Sequence, residues 1–219
     1  GTIRVNSGDN PKPSPLPLTE QPGDVIGRYK LLEQIGVDYQ LLLPGAHEDA
    51  EALETVLPGE APSRYVQRVA ALKLDAAVRR LSVRRLAASL DWPMAPILCA
   101  DTTVALGSAI LGKPDDADHA REMLARLSGR THWVLTAVAL QSGRRRWQSL
   151  SESRVTFESL SKARIEAYVA TGEPLGKAGA YAIQGRAGAW VQRMQGSYSG
   201  IMGLPLYETA QLLRHVRLG

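Results

Sequence analysis

Cysteine is almost absent. Cys99 is the only one in 219 residues, so no internal disulfide can staple the fold, and the chain fits a reducing, cytoplasmic compartment. No histidine lies near it in sequence, so Cys99 reads as a small buried apolar residue on a strand and not as a nucleophile. Aromatic residues are also scarce, at 5% with a single phenylalanine. They do not interleave with the arginine clusters at 79–80, 84–85 and 144–146, which argues against a nucleic-acid surface. No apolar run approaches the roughly 20 residues of a membrane helix, and no signal-peptide pattern is visible. Charge of one sign is in only mild excess, +4 overall, which admits an anionic partner without identifying it. GxxxxGK[ST], a GxGxxG after a strand, HExxH and CxxC are all missing. His47, His119, His132 and His215 are scattered without metal-ligand spacing.

The composition that remains, 44% hydrophobic and 22% charged, is that of an ordinary globular chain able to bury a core. Residues 1–24 are proline-rich and carry no apolar periodicity, and they read as a disordered arm or an added leader. Residues 25–219 read as a single α/β domain. A helix from Arg28 to Ile35 stops at Gly36, and a strand follows from Val37 to Leu43. An acidic loop from His47 to Glu60 leads to a long helix opening at Pro62-Ser63. Ile97, Leu98 and Cys99 form a short strand that Asp101 interrupts with a charge. Gly107-Ser108 marks a two-residue hairpin, and Asp115 or Asp116 caps the next helix. A long antiparallel pair turns at 141–146, Ser161 caps a short helix, and a last helix runs from Leu206 to Val216.

Three charges stand where local rules disfavour them. Lys73 falls amid the apolar helical face of Val66, Val69, Ala70 and Ala77. It either snorkels at the helix margin or is aimed at a phosphate or carboxylate. Asp101 lies in an apolar strand, and Lys113 ends the hairpin's second strand, within reach of it. The pair is either a salt bridge at a sheet margin or part of a functional site.

The ordered blocks LLEQIG, GEAPSRYVQRVAALK, CADTTVAL, LGKPDDADHAREMLARLSGRTHWVLTAVAL, YVATGEPLGKAGAYAIQG and GSYSGIMGLPLYET resemble the Maf family of nucleotide pyrophosphatases. Thr102 and the block containing Gln184 look like the branch acting on dTTP and UTP. The resemblance implies an elongated mixed β-sheet flanked by helices, similar to inosine triphosphatase, with two lobes around a cleft and often a homodimer. It also implies a Mg²⁺- or Mn²⁺-dependent cut between the α and β phosphates of a nucleoside triphosphate. Asp101 matches the family's catalytic aspartate, which activates water or holds metal. Lys73 and Lys113 match phosphate-contacting lysines, Glu48 an acidic position that helps hold metal, and Thr102 and Gln184 positions tied to base choice.

One block departs from the family. Its members carry a Ser-x-Ser-Pro-Arg-Arg phosphate loop before the first helix, but here the aligned positions read Val25, Ile26, Gly27 and Arg28, so only Arg28 remains for phosphate. Two functional readings therefore stand side by side. One is an active pyrimidine triphosphate pyrophosphatase. The other is a catalytically weakened nucleotide-binding regulator of septum formation.

Overall fold

In the computed structural model the described residues are 2–5 (backbone), 31–45, 48, 49, 52–88 and 95–216. The strands are β1 (Thr2–Val5), β2 (Tyr39–Leu41), β3 (Ile97–Leu106), β4 (Ala109–Leu111), β5 (Thr131–Ser142), β6 (Arg145–Phe157) and β7 (Val191–Gln195). The helices are α1 (Pro62–Ala88), α2 (Ala117–Leu127), α3 (Lys162–Val169), α4 (Tyr198–Ile201) and α5 (Leu206–Leu213). Strands join in one seven-stranded sheet of order β2-β1-β3-β5-β6-β7, with β4 paired to β3. Helices flank this sheet, giving the expected α/β class. Every described ladder is antiparallel, where a mixed sheet was expected.

Two expectations need correction. Residues 2–5, assigned to an arm outside the fold, pair with both β2 and β3. Three of these four residues are β-branched, which suits a pleated strand between two open edges. Asp101 does not interrupt its strand either. β3 runs unbroken through it to Leu106, with Asp101 opposite Ala137. A buried backbone keeps its ladder bonds because losing them costs more than one charged side chain on one face. The hairpin at Gly107 (φ 63°), the Asp116 cap and the Ser161 cap form as the sequence predicts.

Side chains alternate across β3 and β5, and each face is covered differently. α1 covers one face, seating Val66, Val69, Ala70, Leu74, Ala77 and Leu81 on Cys99, Leu135, Ala137 and Ala139. Each Val or Leu so buried contributes about 1.5–3 kcal/mol. The other face carries two apolar clusters. One gathers α2, α3 and the 180–190 segment on Val104, Val134 and Phe157. The other gathers residues 31–37 and α5 on Leu98, Ala100, Val138 and Leu140. Between them runs a polar row of register partners, Thr102, Thr136 and Ser151. Thr102 Oγ1 lies 2.9 Å from Thr136 Oγ1, which donates to the Gly200 carbonyl at 2.7 Å. No helix among the described residues is long and apolar enough to cross a membrane.

His132 packs against two aromatic members of the first of these clusters. Its ring makes edge contacts with Phe157 and Tyr181, and Nε2 lies 2.8 Å from the Tyr181 hydroxyl. Burial pushes its pKa down to about 4, so the folded protein keeps the ring neutral while the unfolded chain takes a proton below about 6.5. Stability present above that value is therefore lost as pH falls towards 4. The depressed carboxyls of Glu48 and Glu54 titrate below 4.5, which leaves pH 6.5 to 4.5 to the histidine. Across that window, urea unfolding should show a loss on the order of 2–3 kcal/mol, flattened in His132→Asn. An equal slope in both proteins would place the titration elsewhere.

Candidate active site

α1 delivers Lys73 to the sheet because the residues at i−3, i−4, i−7 and i+4 are all apolar and fully buried. Its side chain is only 17% exposed. Its Nζ donates to Asp101 Oδ1 at 2.5 Å and to Glu54 Oε1 at 2.8 Å. Lys113, just past β4, donates from Nζ to the same Glu54 Oε1 at 3.1 Å and lies 2.9 Å from Oε2. Asp101, Lys73, Glu54 and Lys113 thus form an unbroken chain of alternating charge. Of the two alternatives open for the lysine, the buried carboxylate partner is the one observed.

Glu54 ends a short 3₁₀ turn, Ala52–Glu54, in the acidic loop. α1 pins this loop in two places. The Tyr65 hydroxyl donates to the Glu54 carbonyl at 2.9 Å, and Arg68 Nη2 donates to the Thr55 carbonyl at 2.8 Å. Arg68 also grips Glu60 through two bonds of 2.7 Å each. The fork geometry of a guanidinium on a carboxylate makes that grip directional.

The electrostatics follow from the pairing. Burial would lower the Lys73 pKa, but Asp101 and Glu54 outweigh it and hold it above its ordinary value. Burial would likewise raise the Glu54 carboxyl, but Lys73 and Lys113 overcome this and hold it below the usual range. Both groups are therefore charged near neutral pH.

The other sequence candidates lie differently. Glu48 forms a two-bond pair with Arg80, at 2.8 and 2.5 Å, and the Arg80 hydrogen bonds hold its carboxyl down at about 2. Arg80 and Glu48 line a cavity of about 530 Å³ beside α1, with Lys73, Arg79 and Arg84 also on its wall. Thr102 sits on the opposite face of β3 from Asp101, its hydroxyl engaged with Thr136. Gln184 is exposed in a separate segment that reaches the β4 end through Gly179, whose N–H donates to the Gly112 carbonyl at 2.9 Å. A Cβ on Gly179 would lie 2.8 Å from Val104 Cγ2, so only glycine allows that approach. Arg28 lies outside the described residues.

Sequence reasoning named Asp101, Lys73 and Lys113 but missed Glu54. The acidic loop offers several carboxylates, and residue type alone does not choose among them. The signal was Lys73 itself, since a lysine on a buried face calls for carboxylate neighbours. No group of three or more His, Cys, Asp or Glu with metal-binding geometry occurs among the described residues.

Lys73→Met should destabilise the protein at pH 7 by about 3 kcal/mol, because two enclosed carboxylates lose their shared counter-charge. The deficit relative to wild type should shrink towards pH 5 as those carboxylates take up protons. Denaturant titrations of both proteins at the two pH values check this, and a deficit independent of pH would mean the lysine acts through packing alone.

Comparison with known proteins gives the family. The family model described as "Maf-like protein" matches residues 26–216. A dTTP/UTP pyrophosphatase of Albidiferax ferrireducens is 62% identical over 187 residues, covering 85% of this chain and 90% of the relative. Proteins of the same name from a Polaromonas species and from Cupriavidus pinatubonensis are each 60% identical, covering 85% and 87% of this chain and 90% and 92% of their own lengths. The chain belongs to the Maf family.

Proposed function

We propose that the chain hydrolyses pyrimidine nucleoside triphosphates, dTTP and UTP, to the monophosphate and pyrophosphate. The observation that carries this reading is the Asp101–Lys73–Glu54–Lys113 chain, built into a protein 62% identical to a dTTP/UTP pyrophosphatase. Two lysines at one site supply the positive charge that a triphosphate needs. Two carboxylates supply a proton acceptor and hard oxygen donors.

In the reaction, a water oxygen adds to the α phosphorus and the bond from that phosphorus to the α–β bridging oxygen breaks. The water proton passes to the Asp101 carboxylate, and pyrophosphate leaves. Lys73 and Lys113 neutralise the charge that collects on the phosphoryl oxygens. Without substrate these four side chains hold one another, and their charges sum to zero.

A divalent metal fits this donor set. Asp101 and Glu54 provide the one or two carboxylates typical of Mg²⁺ or Mn²⁺ sites, where substrate phosphates and water complete the shell. Bound there, the ion would polarise the phosphoryl group and lower the pKa of water. Glu54, and not Glu48, is the second carboxylate on this reading, because Glu48 is held by Arg80. Base choice is assigned to Gln184, whose amide offers both a donor and an acceptor to a pyrimidine edge. Thr102 faces away from Asp101 and is given a structural role in the sheet.

The purified protein, incubated with Mg²⁺ or Mn²⁺ and a panel of nucleoside triphosphates, should release pyrophosphate from dTTP and UTP. Asp101→Asn should fold normally and lose release by about 10²-fold or more. Release from no nucleotide by a folded protein would favour the alternative, a nucleotide-binding regulator of septum formation.

A further inference from the structure

Gln184 is exposed, yet the backbone on both sides of it is held from the same place. Two residues before it, the Ala182 N–H donates to the Tyr168 hydroxyl at 3.4 Å. Two residues after it, the Arg186 N–H donates to the Glu173 carboxylate, at 3.0 Å to Oε1 and 3.4 Å to Oε2. The two acceptors are themselves joined, because the Tyr168 hydroxyl donates to Glu173 Oε1 at 2.9 Å. One hydrogen-bonded pair, from the end of α3 and the turn after it, therefore grips the loop symmetrically about Gln184.

The neighbouring geometry leaves little room for another arrangement. A Cβ on Gly185 would lie 2.0 Å from Glu173 Oε1, so the carboxylate rests directly on the backbone beside Gln184. A Cβ on Gly188 would lie 2.5 Å from the Ile183 carbonyl oxygen. The Gly185 N–H donates to the Ala182 carbonyl at 3.0 Å, closing a turn around residues 183–184. Trp190, which ends the following 3₁₀ helix, packs edge-on against the Tyr168 ring with centroids 4.7 Å apart. On the other side of α3's end, the Thr171 hydroxyl donates to the Tyr168 carbonyl at 2.6 Å and accepts from the Glu173 N–H at 3.2 Å, fixing where Glu173 stands.

We propose that Tyr168 and Glu173 form a clamp that presets the Gln184 loop for reading the nucleotide base, which makes both of them positioning residues for substrate choice. The inference rests on the assignment of base reading to Gln184. An exposed amide selects between bases only if its donor and acceptor are already in place when the nucleotide arrives, since ordering a free loop would consume binding energy equally for every base. The clamp supplies that order through the backbone on either side of Gln184.

The test uses the full chain and the ratio of kcat/KM for dTTP to that for dGTP. Tyr168→Phe keeps the ring on Trp190 and removes the hydroxyl, while Glu173→Gln keeps the volume and removes the charge. The dTTP preference should fall by about tenfold in Tyr168→Phe, through a higher KM for dTTP, with kcat within about threefold. Combining it with Gln184→Ala should lower the preference no further than Gln184→Ala alone, because the clamp acts through that amide. If Gln184→Ala shifts the ranking but both clamp variants keep the wild-type ratio, the clamp is overturned and the reading of Gln184 stands. Additive losses in the double variant also overturn it. If Gln184→Ala leaves the ranking unchanged, the reading of Gln184 fails and the clamp's role fails with it. Where turnover is too slow to measure, calorimetric Kd values for dTTP and dGTP decide by the same comparisons, and binding of neither overturns the inference.

Discussion

The Lys73 ammonium must meet two carboxylates at once, and much of the molecule serves that meeting. An ammonium enclosed without a partner would cost several kcal/mol. The fold avoids this cost by carrying Asp101 on the α1-facing side of β3 and by fastening Glu54 to α1 through Tyr65 and Arg68. β3 pairs with β1, β4 and β5, so the aspartate sits on an interior strand whose position cannot drift. α1 is the only helix packed along that face among the described residues, and it sets the depth of the lysine. The candidate site is thus assembled by the same contacts that bury the core. Rigid elements place such groups more precisely than loops do.

The charge pattern has a functional side as well. In the absence of substrate the lysines and carboxylates neutralise one another, so the site holds no uncompensated charge in an enclosed place. On the proposed function, a triphosphate exchanges those partners, its oxygens taking the lysines and releasing the carboxylates. Glu54 is central to that exchange, since it touches both lysines. A site whose groups already hold one another is ordered before the substrate arrives, and the exchange of partners then falls on binding and not on the chemical step.

Much of this was legible in the residues, and the gaps have physical causes. Lys73 and Asp101 stood out because each breaks the pattern of its own element, and functional sites are where local patterns tend to break. The hairpin at Gly107, the caps at Asp116 and Ser161 and the long antiparallel pair depend on local chemistry, so residue spacing reveals them. Glu54 was not separable from its acidic neighbours because its choice is made by Tyr65 and Arg68, which are distant in sequence. The strand at residues 2–5 was missed for a similar reason, since four residues show no period and only the edges of β2 and β3 give them a place. Thr102 was linked to base choice by resemblance alone. The alternation of a strand then turned it to the face opposite its neighbour Asp101.

The row of Thr102, Thr136 and Ser151 divides one face of the sheet into two apolar territories. The Thr102–Thr136 pair and the Thr136 bond to the Gly200 carbonyl are directional, so they fix the register at that seam where apolar contacts alone would allow sliding. Met202 packs against both territories, and its unbranched thioether side chain takes up small misfits between them. An ill-fitting leucine under α5 is therefore felt at Met202 before it reaches the aromatic cluster around Phe157.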